Sequence, residues 1–264
     1  MPTVDTDGAT IYYETDGRGE ETVVFLGEIG FGAWQWGWQY GAIAGPYRTI
    51  VYDTRGCGRS STPPGPYSMD DLVGDLRQVL IETDTRRAHL VGCGLGGATA
   101  LAAAERTNRA ASLTLVGTAA TAEAFDLTPL RADPADRDEL WESTEAAVAA
   151  GFPADHPDGF DRIVAWRAEE DAAPEAWDAQ HAALSGFDAE PLYECTRPAL
   201  VLHGTDDRLV SVSAGRSLAE RLPRGEFVAV DDAGHLAHIE RSAAVSDRII
   251  GFLDELVDRD DASW

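Results

Sequence analysis

The sequence feature that most constrains the fold is a glycine-rich turn at residues 89–98, where a strand pattern runs directly into a helical one. The run Ala88–Gly92 is short and apolar, and Gly96–Arg106 carries alanine and leucine at helical spacing. A strand joined to a helix in this way is typical of α/β proteins, in which the two kinds of element alternate along the chain. The turn therefore predicts an α/β fold.

The rest of the chain repeats this alternation. Short runs rich in valine, leucine and isoleucine predict further strands at Ala9–Glu14, Thr22–Gly27, Tyr47–Asp53, Ser112–Gly117, Ala199–Gly204 and Phe227–Val230. Amphipathic stretches predict further helices at Met69–Thr83, capped by Ser68, and at Ala214–Leu222 and Ala243–Val257. We therefore expect a mostly parallel sheet flanked by helices, with a functional site outside the carboxyl ends of the strands.

Residues 119–192 interrupt this rhythm. The segment carries several prolines among acidic, alanine-rich helical stretches, and it contains no convincing strand. We interpret it as a helical cap inserted into an α/β core formed by residues 1–118 and 193–264. Its tryptophan and phenylalanine side chains are expected to pack against that core.

The glycine-rich turn has two interpretations. Gly92, Gly94 and Gly97 spell the dinucleotide-binding pattern G-x-G-x-x-G. That pattern also expects an acidic residue at the end of the next strand, but this strand ends in Gly117-Thr118. The second interpretation is a nucleophile elbow, in which small residues flank the apex of a strained turn. Gly92 and Gly96 are those small residues, and they place the apex at position 94.

Three further segments agree with the elbow: Tyr52–Ser60, Leu202–Arg208 and Asp231–Glu240 each follow a predicted strand. Together with the turn they resemble the α/β-hydrolase fold family, in its branch of enol-lactonases, perhydrolases and ring-cleavage hydrolases. The resemblance covers essentially the whole chain. It implies a catalytic acid at Asp207, with Asp206 as the alternative, and a general base at His235.

The apex departs from the family pattern. The resemblance implies a serine, cysteine or aspartate there, but Gly94 has no side chain with which to attack a substrate. Cys93 is the alternative nucleophile. Its neighbours two positions away, Val91 and Leu95, are too bulky to flank an elbow, so we expect Cys93 to be a buried structural thiol.

The loop after Leu26 is the second departure, because the family's usual His-Gly is replaced by Gly27-Glu28-Ile29-Gly30. The resemblance implies an oxyanion hole formed by backbone N–H groups, here those of Ile29 and Leu95. The Glu28 carboxylate would repel an oxyanion unless it is protonated or turned aside. It would otherwise act as a base, bind a cation or lie on the surface.

Glu28, Cys93 and Trp34 are the residues we expect to contact a substrate. Trp34, Trp36 and Trp38 follow the oxyanion loop, and one of them, taken here as Trp34, is expected at the mouth of a pocket while the others pack. The remaining histidines, including His203 and His238, are interpreted as structural. No metal or organic cofactor is expected, and the sequence leaves the oligomeric state open.

The charge of the chain is unusual: 46 acidic residues face 21 basic ones, which gives a formal net charge of −25, and every basic residue is arginine. A phosphate backbone would be repelled, so nucleic-acid binding is disfavoured. The composition resembles that of proteins from organisms with molar cytoplasmic salt, because salt screens such self-repulsion. We expect unfolding or aggregation in dilute buffer.

Other sequence properties predict a cytoplasmic protein that does not enter a membrane. No apolar run approaches the length needed to span a bilayer, and the amino terminus does not resemble a secretory signal. Three cysteines are too few for a disulfide framework.

Two functions fit these observations, and both involve a small molecule. The first is an enzyme in which His235, held by Asp207, acts as a base on a small activated ester, lactone or thioester without a serine nucleophile. The second is a catalytically silent ligand-binding protein that has kept the fold. A dinucleotide-dependent enzyme is the third and least favoured interpretation.

Overall fold

The computed structural model describes residues 2–261. Its centre is a single sheet of eight strands, which are Thr3–Asp5 (β1), Thr10–Asp16 (β2), Thr22–Leu26 (β3), Arg48–Tyr52 (β4), Ala88–Cys93 (β5), Ala110–Val116 (β6), Ala199–Gly204 (β7) and Gly225–Val230 (β8). Their order across the sheet is β1-β2-β4-β3-β5-β6-β7-β8. β2 pairs antiparallel with β1 and β4, and all other pairings are parallel. The predicted mostly parallel α/β sheet is confirmed.

Helices connect the parallel strands and flank the sheet. The α-helices are Gly37–Ile43 (α1), Met69–Glu82 (α2), Leu95–Arg106 (α3), Arg137–Ala147 (α4), Phe152–Asp155 (α5), Pro157–Glu170 (α6), Pro174–Leu184 (α7), Val212–Arg221 (α8), Ala237–Glu240 (α9) and Ser242–Asp261 (α10). Ser68 caps α2 as predicted, in a capping box with Asp71. Within residues 2–261, no helix combines the length and apolar character that crossing a bilayer requires.

Burial explains the apolar runs of the central strands. All residues of β3, β5 and β7 are buried, because helices cover a parallel sheet on both faces. The polar residues that carry chemistry are therefore found in the loops that leave the carboxyl ends of these strands. Three elements were missed from sequence: the short edge strand β1, the four-residue helix α9, and α1, which begins at one glycine and contains another.

Residues 119–192 contain α4 to α7 and none of the eight strands. The ring of Trp166 on α6 packs against the ring of Trp34 with centroids 5.7 Å apart, and Trp177 on α7 lies directly over Gly30. This segment thus covers the carboxyl ends of the strands. Its separation from the core as a distinct cap stays a prediction.

Candidate functional site

The turn between β5 and α3 has the shape of a nucleophile elbow. Gly94 at its apex has φ +46° and ψ −107°, a strained conformation that favours glycine. A Cβ atom on Gly92 would lie 2.4 Å from the carbonyl carbon of Gly96, and one on Gly96 would lie 2.3 Å from the carbonyl oxygen of Leu26. Glycine is therefore required on both sides of the apex because the backbones pack so closely.

Asp207 and His235 meet beside this turn. Asp207 lies in the loop after β7 and His235 in the loop after β8, and the distance between Asp207 Oδ2 and His235 Nδ1 is 2.9 Å. The second oxygen of Asp207 accepts hydrogen bonds from the N–H groups of Leu209 and Val210. Asp206, the alternative acid, is exposed. The geometry thus favours Asp207 over Asp206 as the partner of the imidazole.

Glu28 occupies the centre of the site. Its Oε1 accepts hydrogen bonds from the N–H groups of Ile29, at 2.5 Å, and of Leu95, at 3.1 Å. Its Oε2 lies 2.5 Å from His235 Nε2. The side chain is fully buried, so the interpretation of Glu28 as a surface residue is wrong.

The carboxylate of Glu28 fills the space that a side chain at the apex would need. A Cβ atom built on Gly94 would lie 1.6 Å from Glu28 Oε2 and 2.3 Å from its carboxyl carbon. The two residues are therefore sterically exclusive: the carboxylate reaches this position only because residue 94 is glycine.

The backbone donors converge as expected, but the acceptor is part of the chain. Both N–H groups of the expected oxyanion hole, those of Ile29 and Leu95, are bonded to the same oxygen of Glu28. A substrate oxyanion has no access to them in this arrangement. The expectation that these donors stabilise charge on a substrate carbonyl is not supported by the observed geometry, because the side-chain carboxylate already saturates them.

The charges of the site stabilise a protonated imidazole. Burial alone would lower the pKa of His235, but the charge and hydrogen bond of Asp207, together with those of Glu28, raise it to about 10. Burial alone would raise the pKa of Asp207, but the charge of His235 and hydrogen bonds from His203 and His235 hold it well below its usual range. The raised pKa of His235 favours an imidazolium at neutral pH, so His235 differs from the free base that the resemblance implies.

Cys93 lies next to this group without being activated by it. Its Sγ atom is 3.9 Å from Glu28 Oε2. Burial, followed by the negative charge of Glu28, raises the pKa of the Cys93 thiol well above its ordinary value. Cys93 is thus a buried thiol rather than a reactive thiolate, in agreement with the interpretation from sequence.

Glu28, Cys93 and His235 are also the residues with the spacing of a metal site, since their ligand atoms all lie within 4.8 Å of one another. The chemistry of the three groups is unfavourable to a metal. The imidazole nitrogen and the carboxylate oxygen are bonded to each other, and the thiol is protonated, whereas metal binding requires deprotonated ligands.

Trp34 lies at the contact between the loop after β3 and the cap helices. Its indole Nε1 donates a hydrogen bond to Asp171 Oδ1 at 3.0 Å, and its ring packs against Phe31 and Trp166. These contacts account for its position structurally. Its predicted role in substrate binding stays a prediction.

Sequence reasoning missed three buried polar side chains around the site. Gln180 on α7 accepts a hydrogen bond from the Gly30 N–H and donates one to the Arg55 carbonyl oxygen, each at 2.7 Å. His203 lies 3.1 Å from Asp207. Glu240 accepts hydrogen bonds from two N–H groups, those of Ala149 and Gly234, and burial raises its pKa to about 7. The two partners of Gln180 are 150 and 125 residues away in sequence, so no local motif indicates them. His203 and Glu240 lie within the segments already identified from sequence, four residues from Asp207 and six from Gly234, but the sequence did not indicate these contacts.

The glycine-rich turn shows no sign of a dinucleotide site. A Cβ atom on Gly97 would lie 1.9 Å from Thr118 Oγ1, so this glycine is needed for packing between α3 and the loop after β6. The carboxylate of Glu28 lies at the turn, where its charge would repel a pyrophosphate.

Comparison with known families agrees with this geometry. The model of the alpha/beta hydrolase fold matches residues 30–242, which is more than half of the chain. The chain belongs to the α/β-hydrolase fold family. The resemblance inferred from four sequence motifs is thereby confirmed at the level of the family.

Individual relatives of this α/β-hydrolase family member are named as hydrolases. A protein from Caulobacter segnis named "Putative carbamate hydrolase RutD" is 30% identical over 96% of this chain and 99% of its own length. The 3-oxoadipate enol-lactonase 2 of Acinetobacter baylyi is 27% identical over 92% of each chain. The crystal structure of the enol-lactonase from Burkholderia xenovorans is similar with a TM-score of 0.86 and 26% identity, covering 96% of this chain and 100% of that one. The expected hydrolase class is confirmed.

Proposed function

We propose that this chain is a hydrolase in which the Glu28 carboxylate replaces the missing serine at the vacant nucleophile position, Gly94. The observation that carries the proposal is the placement of the two carboxylate oxygens. Oε2 is 1.6 Å from where a Cβ atom of residue 94 would be and 2.5 Å from His235 Nε2, while Oε1 accepts from both oxyanion-hole donors. One carboxylate thus stands at the nucleophile position and at the oxyanion position together.

The substrate class we propose is a small activated ester or lactone, in keeping with the relatives named as lactonases. The occupied oxyanion hole decides which carbon is attacked. Attack on the carbonyl carbon would create an oxyanion on the substrate that the N–H groups of Ile29 and Leu95 are not free to bind. Attack on the alkyl carbon of the ester creates no such oxyanion. We therefore propose cleavage of the alkyl–oxygen bond.

In the first step, Oε2 of Glu28 forms a bond to the alkyl carbon, and the bond between that carbon and the ester oxygen breaks. The electron pair leaves with the product carboxylate, which takes the proton of the His235 imidazolium. Glu28 is now a neutral alkyl ester, so one of the two negative charges that raise the pKa of His235 is lost. The neutral imidazole that results is able to act as a base.

In the second step, His235 takes a proton from water, and the hydroxide attacks the carboxyl carbon of Glu28. The negative charge of the tetrahedral intermediate develops on Oε1, the atom that Ile29 and Leu95 already hold. Collapse breaks the bond between the carboxyl carbon and Oε2, and the alcohol leaves with the proton from His235. The water oxygen remains in Glu28, which is left as a carboxylic acid, and transfer of its proton to His235 restores the carboxylate and the imidazolium.

Substrate entry requires movement of the segment above the site. The side chains of Glu28, Asp207 and His235 are fully buried. Trp177 covers Gly30 next to Glu28, and Gln180 is bonded to the same loop, so α7 is the element that closes this side. Opening of α7 would expose Glu28 without disturbing the pair of Asp207 and His235.

The experiment that tests the proposal is a single turnover of a strained aliphatic lactone in water enriched in heavy oxygen, followed by mass analysis. We expect the label in the peptide that contains Glu28 and an unlabelled hydroxy acid as the product. Attack at the carbonyl carbon would instead place the label in the product acid without labelling Glu28, and that result would contradict the proposal. Asp207→Asn should abolish labelling, whereas Asp206→Asn, its exposed neighbour, should preserve it.

A second candidate function, a catalytically silent binding protein, is favoured by the complete burial of the site and by the protonated state of His235. In that case a bound small molecule would raise the melting temperature without forming product. The labelling experiment separates the two functions, since a silent protein incorporates no heavy oxygen into Glu28.

A further inference from the structure

Six arginines line one depression at the opposite end of the sheet from Glu28. The depression has a volume of about 890 Å³. We call these residues the amino-end arginine cluster, and they are Arg77, Arg86, Arg87, Arg106, Arg109 and Arg197. They come from α2, from the end of α3 and from the loops that precede β5, β6 and β7. Because these three strands are parallel neighbours, their amino ends bring the loops together.

The balance of acidic and basic residues in this depression is opposite to that of the whole chain. The whole protein has 46 acidic and 21 basic residues, but the lining carries six arginines and one acid, Asp84. An adjoining depression shares Arg87 and Arg197 and adds Arg224 together with one acid, Glu21. Basic charge is thus concentrated at one place on a molecule whose net charge is −25. Like charges held close together repel each other, and a bound anion relieves that repulsion.

Structural roles account for only part of the cluster. Arg106 pairs with Asp70 at 2.5 Å, Arg109 donates to the carbonyl oxygen of Thr85, and Arg87 lies 3.5 Å from the carbonyl oxygen of Ala110. The negative ends of the helix dipoles of α2 and α3 also favour arginine here. Among the residues that the structure describes, Arg77, Arg86 and Arg197 have no acidic partner.

The shape and lining of the depression indicate a multivalent anion with an apolar part. Its volume lies in the range of small-molecule pockets and exceeds what a single phosphate fills. Guanidinium groups match phosphate oxygens in planar, paired hydrogen bonds. Ile81, whose side chain is 45% exposed, adds an apolar surface beside them.

We propose that the amino-end arginine cluster is a binding site for a triphosphate, with Arg77, Arg86 and Arg197 as the free phosphate-binding groups. This site is separate from the proposed active site, and it does not depend on the proposed function. The shared chemistry is a chain of linked phosphates, which either a nucleoside triphosphate or inorganic tripolyphosphate supplies.

The test is isothermal titration of the full chain with adenosine triphosphate and with inorganic tripolyphosphate, at the lowest salt concentration that keeps the protein folded. We expect saturable binding of one ligand per chain. Arg86→Gln with Arg197→Gln should weaken it about tenfold, because two of the three guanidinium groups without an acidic partner are then lost. The matched control, Arg137→Gln with Arg162→Gln, removes the same charge from α4 and α6 and should bind as the parent chain does.

The two ligands distinguish the source of the phosphates. Tighter binding of adenosine triphosphate supports a nucleotide that uses Ile81, and equal binding supports recognition of the phosphate chain alone. Absence of saturable binding would overturn the proposal, as would equal weakening in the control variant. Tighter binding of a single-stranded oligonucleotide at equal phosphate concentration would also overturn it, in favour of a nucleic-acid surface.

Discussion

The two ends of the sheet hold charge in opposite ways. At the carboxyl end, Glu28, His235 and Asp207 are fully buried, and each is bonded to the next. At the amino end, the arginine cluster is largely exposed, and one of its six members has an acidic partner among the described residues. A charged group that is buried away from water must be paired within the chain, whereas a solvent-exposed charged group remains available to a ligand. The first arrangement therefore supports stability and internal chemistry, and the second supports binding.

Among the changes that test this contrast between exposed and buried charges, removing salt is expected to have the largest effect on stability. The net charge of −25 is repulsive, and screening acts on exposed charges much more than on buried ones. We predict that the melting temperature rises steadily between about 0.1 M and about 1 M salt, where the Debye length falls from ~10 Å to ~3 Å. Circular dichroism melts measure this directly. A melting temperature that is independent of salt would show that surface repulsion does not limit stability.

The next largest effect is expected from exchanging the carboxylate for a serine. Gly94→Ser alone places a Cβ atom 1.6 Å from Glu28 Oε2, so we expect destabilisation of about 3 kcal/mol and no esterase activity. Adding Glu28→Ala removes the overlap and frees the N–H groups of Ile29 and Leu95. The double variant should then hydrolyse an activated ester at least about 10²-fold faster than either single variant.

The matched control for this exchange is the double variant Glu28→Ala with Gly94→Ala, which relieves the same overlap but carries no hydroxyl group. Equal esterase activity in the two double variants would show that the hydroxyl at position 94 does not attack the substrate. The activities are compared by initial rates with a chromogenic ester.

Measuring the free energy of unfolding as a function of pH tests only the buried site at the carboxyl end of the sheet. The folded chain holds the proton of His235 to about pH 10, whereas an unperturbed histidine releases it near pH 6.5. The stability that this group contributes is complete below pH 6.5 and lost as the pH rises to about 10, with a slope of about 1.4 kcal/mol per pH unit between these values. Chemical unfolding at constant salt measures the slope, and His235→Gln should remove it.

Gln180→Leu is expected to have a smaller effect. The substitution leaves the N–H of Gly30 and the carbonyl oxygen of Arg55 without their buried partner, which costs about 1–3 kcal/mol. Gln78→Leu on α2, where the side chain is half-buried, should change the free energy of unfolding by less than about 0.5 kcal/mol. Similar losses in the two variants would show that the contact between α7 and the loop after β3 is not specific.

The smallest effect on stability is expected at the amino end. Arg86→Gln with Arg197→Gln removes one exposed and one half-buried charge, neither with an acidic partner among the described residues, so the free energy of unfolding should change by less than about 0.5 kcal/mol. A loss of about 2 kcal/mol or more, which is typical of a lost buried contact, would show that these arginines stabilise the fold rather than bind a ligand.

The sequence predicted those parts of the molecule that follow from local patterns. Runs such as Thr22–Leu26 predict buried strands because they are almost entirely apolar. The pairing of Asp207 with His235 was implied by the family resemblance, with Asp206 as the alternative acid, rather than by a local pattern. α1 was missed because Gly37 and Gly41 lower helix propensity, and its helical form depends on packing against α10.

The hydrogen bond between Glu28 and His235 could not be predicted from the sequence for a different reason. The loop was identified as unusual, but the direction of the carboxylate depends on the absence of a side chain at position 94, 66 residues away. Gln180 is 150 residues from Gly30, and only the closure of α7 over the sheet brings them together. Contacts of this kind arise from packing and leave no local pattern.

The position of the Glu28 carboxylate at the apex of the turn has a consequence for inhibition of this chain. Reagents that trap the serine of a hydrolase as a covalent phosphonyl adduct have no hydroxyl group to modify here, so this chain would escape profiling with such probes. Small organic acids that mimic a released product would also compete poorly, because the protein carries its own acid at the place where they would lodge. On the proposed function, we expect resistance to both kinds of inhibitor, and the glycine at position 94 would be its cause.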